Sequence, residues 1–310
     1  MMQNSATSRK AALVTGGTDG IGKEVARALA HDGVKTIIVG RDRRKGQVAE
    51  KELRSYSPTG EVYFVRADLS LMKEAHRLAD DVTAELDSLD YLVHGAGIVL
   101  GRRILTAEGV ESNFAVNYLS RFVLTQRLLP LLQSTRAAHF ASRIVILGGA
   151  ARSGTIYFRD VNLTKKFGML RVVGQFCRAN DVFTVELARR LASSASTPRV
   201  TITCLKIGVV KTNIRINFPW WMRTLVTILA DPLLGQEPAD VAASAVSLLL
   251  NLEFEGLSGA LFLQIRKFQK LELDPILRDP QVGARLWELS ERMAAQSSTQ
   301  NVPATAAKPS

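Results

Sequence analysis

At 310 residues, with 46% hydrophobic and 22% charged side chains, the chain is long for one domain and too short for two large ones. Two cysteines, Cys177 and Cys204, argue against a disulfide framework, and four scattered histidines against a metal site, so no metal and a reducing, cytoplasmic setting are expected. The net charge of +11 suits anionic company, but the cations are spread without aromatic interleaving or a nucleic-acid motif, and no apolar run is long enough to span a bilayer.

The first nine residues are polar and read as disordered. From residue 10, short β-rich apolar runs alternate with amphipathic segments of helix length. That alternation predicts an α/β fold: a doubly wound parallel sheet of about seven strands with helices on both faces. The strand candidates are Ala12–Val14, Thr36–Val39, Val62–Val65, Tyr91–Val93, Ile144–Leu147, Val200–Leu205 and Ala260–Leu263. Several are continuously apolar, as strands covered on both faces should be. The first helix sets Ile21, Val25 and Leu29 on one stripe, and longer helices are predicted over Glu108–Leu132, Arg171–Leu191 and Pro238–Leu250. No repeat or linker divides residues 10–294, which read as one domain. An apolar insert near 216–235, with Phe218-Pro219-Trp220-Trp221-Met222 and then Leu225–Leu229, reads either as a helix packed on the core or as a lid for a lipophilic substrate that also touches a membrane surface. Residues 295–310 read as a disordered tail.

The first strand runs through Thr15-Gly16-Gly17-Thr18-Asp19-Gly20-Ile21-Gly22 straight into a helix. Gly16 permits a sharp turn, Gly20 lets the backbone approach a pyrophosphate, and Gly22 lets the helix pack close; Thr18 and Ile21 lie within the same turn. The diphosphate of a dinucleotide then sits on free N–H groups at the positive helix end. The second strand ends Val39-Gly40-Arg41-Asp42-Arg43-Arg44-Lys45, with no acid at the strand end to hold a ribose diol. Arg41 and the cations behind it favour NADP(H), whose extra phosphate suits a guanidinium fork; the alternative is a solvated basic turn with Asp42 on the ribose.

This spacing resembles the short-chain dehydrogenase/reductase family, and further segments match its retinol-dehydrogenase-like branch. They are Asp68 after the third strand, His94-Gly95-Ala96-Gly97, Asn113-Phe114-Ala115-Val116-Asn117, Val182 to Leu191, Gly208-Val209-Val210-Lys211-Thr212, and Ser258-Gly259. The resemblance implies that Asp68 and Leu69 meet the adenine, that Ala96 and Gly97 line the cofactor, and that Val210 and Thr212 meet the nicotinamide. It also implies a homo-oligomer through the long helices.

The family's chemistry rests on a Tyr that moves the proton, a Lys one helical turn later that lowers the Tyr pKa, a Ser that orients the substrate oxygen, and an Asn that anchors a relay water. Asn117 keeps its place. The Ser position falls on Gly149, the Tyr on Val173 and the Lys on Cys177, and Arg171–Asn180 holds neither Tyr nor Lys. Valine and glycine have no proton to give. Lys206, leaving the sixth strand at its carboxyl edge, is a candidate substitute or else a lysine beside the cofactor; Tyr118 and Tyr157 are weaker candidates. The expected function is an NADP(H)-binding oxidoreductase on a lipophilic alcohol, carbonyl or enone with a non-standard proton donor. The alternatives are a non-redox cyclase or isomerase, or an inactive cofactor-binding protein.

Overall fold

The structure is a computed structural model and describes residues 9–134, 141–151, 153–194, 200–208, 210, 235–265 and 267–299. In chain order the elements are β1 (Ala11–Thr15), α1 (Gly20–His31), β2 (Lys35–Gly40), α2 (Arg43–Tyr56), β3 (Val62–Arg66), α3 (Met72–Glu85) and β4 (Tyr91–His94). The short α4 (Ser112–Phe114), a π-helical turn over Ala115–Leu119 and α5 (Ser120–Gln133) then follow one another directly. After them come β5 (Ser142–Gly149), α6 (Met169–Ser194), β6 (Val200–Ile207), α7 (Pro238–Leu250), β7 (Ala260–Gln264), β8 (Phe268–Lys270), α8 (Pro275–Arg278) and α9 (Pro280–Thr299).

The strands form one sheet in the order β3-β2-β1-β4-β5-β6-β7-β8, parallel except for the antiparallel β7–β8 pair. Every residue of β1 is buried because alternate side chains enter two separate cores. Leu13, Ile37 and Ile146 pack beneath α3, α5, α6 and α9; Ala12, Val14 and Ile38 pack beneath α1, α2 and α7. The chain steps from β1 outward to β3 and then crosses to β4 on the other side of β1. The carboxyl ends of β1 and β4 therefore flank the crevice where such sheets bind ligands.

The expected strands and the helix at 238–250 are present, with one addition and two shifts of boundary. Among the described residues the sheet carries an eighth strand, β8, which is three residues long and mostly polar, too short for a periodic signal, and pairs Phe268 with Gln264. The helix expected over Glu108–Leu132 begins at Ser112, and Glu108 is a cap instead, its carboxylate accepting from Met72 N (2.6 Å) and Lys73 N (3.1 Å) at the start of α3. Helix α9 runs on to Thr299, past the expected tail boundary at 295.

Trp287 of α9 packs on Phe122 (5.1 Å between centroids) and Phe183 (6.1 Å), while Tyr118 Oη and Ser290 Oγ hydrogen-bond at 2.7 Å. The aromatic side chains Phe122 of α5 and Phe183 of α6 are thus covered by the chain's own helix. Among the described residues no helix is long and apolar enough to cross a membrane. The apolar segment at 218–229 lies outside the described residues, as do residues 1–8 and 300–310.

Candidate functional site

The glycine turn has the strained geometry its sequence demands. Gly16 (φ +69°) and Gly20 (φ +53°) occupy the left-handed region. A Cβ on Gly16 would come within 2.7 Å of Ala96 N, and one on Gly22 would strike Gly16 O. The turn is braced against the end of β4: Thr15 Oγ1 accepts from Gly95 N (3.1 Å) and Ala96 N (3.3 Å), and Gly16 N donates to Val39 O. Asp19 caps α1 by accepting from Gly20 N at 2.8 Å. Thr18 lies against Gly40, where a Cβ would sit 2.7 Å from the threonine Cγ2, so the turn and the end of β2 touch. Thr18, Gly20 and Ile21 remain half-exposed on the crevice between β1 and β4.

Arg41 is exposed at the end of β2, together with Arg43, Arg44 and Lys45. The structure adds Arg66, which the sequence reading missed. It pairs in register with Gly40, and its Nε donates to Arg41 O at 3.2 Å. Asp42 spends one carboxylate oxygen on Lys45 N (2.9 Å) to cap α2, which weakens its claim as a ribose ligand. Asp68 accepts from Ser70 N at 3.0 Å and stays half-exposed, whereas Leu69 is buried in the core. Ala96 and Gly97 leave β4 at the crevice. Val210 is buried and bridges to Gln236; Thr212 lies outside the described residues.

The positions expected to carry chemistry converge at the end of β5, but with different side chains. Gly149 ends that strand, and a Cβ there would lie 2.8 Å from Cys177 Sγ. The thiol therefore fills the space a serine at 149 would need. Val173, one turn before Cys177 on α6, is partly exposed. Burial raises the Cys177 thiol pKa against the opposing pull of Lys206.

Lys206 is not the open lysine that its strand-edge position suggested. It is 2% exposed and donates to both oxygens of Asp181, each at 2.7 Å. The register pairs Lys206 with Gly148, and Asp181 sits one helical turn beyond Cys177, so the pair lies under the Gly148–Gly149 segment. Burial pushes the Asp181 carboxyl up while the Lys206 ammonium draws it down. Tyr118 is buried with its phenol pKa driven up by desolvation, and the Tyr157 ring lies under Arg171, 4.5 Å from centroid to guanidinium carbon.

Asn117 stands in the π-helical turn with its amide fully used. Its Nδ2 donates to Ile98 O (2.7 Å) and Asn113 O (2.8 Å), and its Oδ1 accepts from Ile98 N (3.2 Å). Its backbone carbonyl accepts from Asn180 Nδ2 at 2.9 Å. Asn117 therefore pins the loop after β4 to the helix. Behind that loop lie two further buried groups, His94, to which the sequence reading gave no role, and Arg121, which it did not single out. His94 Nε2 meets Thr125 Oγ1 at 2.9 Å, and burial, then Arg121, holds its pKa well below the usual value. Arg121 reaches Ala96 O and Asn180 Oδ1. The signal available in the sequence was one arginine within the mostly apolar stretch Phe114–Leu124. Among the described residues no group of His, Cys, Asp and Glu could hold a metal ion.

The family model described as short chain dehydrogenase matches residues 10–156. Retinol dehydrogenase 14 from Homo sapiens is 30% identical over 300 residues, which cover 92% of this chain and 86% of that protein. Polyprenol dehydrogenase from Mus musculus is 31% identical over 281 residues, covering 90% and 82%. Among solved structures, a protein from Mycobacterium paratuberculosis superimposes with a TM-score of 0.70 at 26% identity, covering 92% of this chain and 93% of that one. The Pseudomonas aeruginosa RhlG/NADP active-site complex gives a TM-score of 0.64 at 25% identity, covering 82% and 94%.

Proposed function

Because the chain belongs to the short-chain dehydrogenase/reductase family, in its retinol-dehydrogenase-like branch, we propose that it is an NADP(H)-binding oxidoreductase acting on a lipophilic alcohol or carbonyl compound. The observation that carries the reading is the glycine cradle, which a Cβ at Gly16 or Gly22 would fill, opening between β1 and β4 beside the exposed Arg41. Gly16, Thr18, Gly20, Ile21 and Gly22 hold the diphosphate, Arg41 with Arg66 the extra phosphate, and Asp68 the adenine end; Ala96, Gly97 and Val210 line the rest. The bound nicotinamide supplies hydride transfer. A lipophilic substrate is supported by the names of the relatives, which act on retinol and polyprenol.

The proton comes from a source other than the family's tyrosine. Gly149 and Val173 offer none, Cys177 is buried with a raised pKa, and Lys206 is tied to Asp181. Solvent water fits best, since Gly149 and Val173 are both partly exposed. A positioned general acid is typically worth ~10²–10⁴-fold, so turnover is expected to be slow by that margin.

The same side chains favour a second reading, in which the chain holds NADP(H) without turning it over. Titration by NADPH fluorescence, followed by a panel of lipophilic aldehydes, ketones and alcohols, separates the two. Binding with substrate-dependent NADPH consumption supports the oxidoreductase, binding without turnover supports the holder, and absence of NADPH binding overturns both.

A further inference from the structure

We propose that Arg121 is a specificity-determining residue that biases the cofactor site toward the reduced dinucleotide, NADPH, over NADP+. The inference rests on the cofactor reading above and deepens it. Arg121 enters from the first turn of α5 and is 4% exposed. Its guanidinium donates to Ala96 O at 2.9 Å and to Asn180 Oδ1 at 3.3 Å, and its Nε has no partner. Both acceptors are neutral, and among the described residues Arg121 forms no ion pair with a carboxylate. The other buried cation nearby, Lys206, is neutralised by Asp181, so among the described residues Arg121 is the buried charge left uncompensated there.

Its location gives that charge a target. Ala96 leaves β4 at the crevice between β1 and β4 and is braced to the glycine turn through Thr15. The guanidinium thus lies directly behind the loop that faces the dinucleotide. Burial draws its pKa down to about 10, which still leaves it charged at neutral pH. NADPH carries one negative charge more than NADP+, because reduction removes the positive charge of the nicotinamide ring. A fixed cation in a poorly solvated wall favours the more negative ligand. One unit charge about 10 Å away at an effective dielectric constant near 20 gives a preference on the order of tenfold.

The test is the ratio of Kd for NADP+ to Kd for NADPH, measured by calorimetry on wild type, Arg121→Met and Arg121→Lys. Methionine keeps the apolar length and removes the charge; lysine keeps the charge and removes the fork. The expected result is a wild-type ratio well above one, a fall of about tenfold in Arg121→Met, and a ratio largely retained in Arg121→Lys. An unchanged ratio in Arg121→Met, or equal falls in both variants, overturns the proposal, since the second pattern reports loop geometry and not charge. Should Arg121→Met fail to fold, the wild-type ratio decides: a value near or below one overturns it. Binding of neither nucleotide defeats the cofactor reading and this inference together, whereas binding of both without preference defeats the inference alone.

Discussion

Replacing Lys206 by Met asks whether this lysine is part of the chemistry or part of the packing. Lys206 and Asp181 are 2% and 3% exposed, and the ammonium lies 2.7 Å from each carboxylate oxygen. Removing one partner of such a pair leaves an uncompensated buried charge, which costs about 3–5 kcal/mol. The double variant Lys206→Met/Asp181→Leu removes both charges and fills the volume with apolar atoms, so it should recover most of that loss. In Lys206→Met the Asp181 carboxyl, already pushed up by burial, loses its strongest downward pull and keeps only the weaker one of Arg178. Its folded pKa then stands above its unfolded value near 4, so the folded state binds the extra proton. The penalty is fully present above the raised folded pKa and shrinks as pH falls through it toward the unfolded value. Urea unfolding of wild type, the two single variants and the double variant at pH 7 and pH 5 measures all of this. A loss below about 1 kcal/mol in Lys206→Met, or a double variant that loses the sum of the singles, would refute the argument. So would abolished turnover in a Lys206→Met protein of wild-type stability, since it would return the lysine to the reacting atoms.

Three further outcomes are expected. Arg41→Glu should weaken NADPH by roughly 10–100-fold, the value of a charge-assisted hydrogen bond of about 1.5–3 kcal/mol, while NADH binding stays within about threefold in the same titration. Equal loss for both would remove Arg41 from the extra phosphate. Gly22→Ala should lose NADPH binding and about 1–3 kcal/mol of stability in thermal melts, because its Cβ meets the Gly16 carbonyl and the helix must back away from the strand. Gly149→Ser should cost about 1–3 kcal/mol by overpacking against Cys177 Sγ, and adding Cys177→Ala should relieve it. An additive double variant would mean that the two sites do not share one volume.

What the sequence disclosed and what it hid divide along the distance between partners. The glycine turn is contained in eight residues, and each requirement on it, strand, left-handed turn and close helix, is local. Arg41 was legible for the same reason, because it follows its strand directly. Arg66 was not, since it reaches Arg41 only through the β2–β3 register that pairs Gly40 with Arg66. The expectation for Lys206 was right about the strand edge and wrong about the exposure. The direction of its side chain depends on a helix residue 25 positions earlier. One sign was readable: Asp181 stands directly before the run Val182-Phe183 on a helix that packs on the sheet, and a buried carboxylate there demands a cation. Glu108 misled in the opposite sense. Its local surroundings look helical, and its actual role, capping α3, is fixed by a partner 36 residues away.

The replaced positions behave as one repacked unit. Without a side chain at 149, space opens at the end of β5, and Cys177 from α6 closes it. A lysine at 177 would bring a second ammonium toward Lys206, whose own ammonium already engages both oxygens of Asp181. Cysteine there is consistent with the lysine on β6, and aspartate one turn further along α6 is consistent with both. Val173, partly buried against the core, has no cation one turn behind it, so a tyrosine restored at that position alone would gain little as a proton donor. Recovery of the family's chemistry therefore requires Gly149, Val173, Cys177, Asp181 and Lys206 to change together. The glycine turn at Gly16–Gly22 shares none of these contacts among the described residues, so the proposed NADP(H) binding is expected to survive changes at these positions.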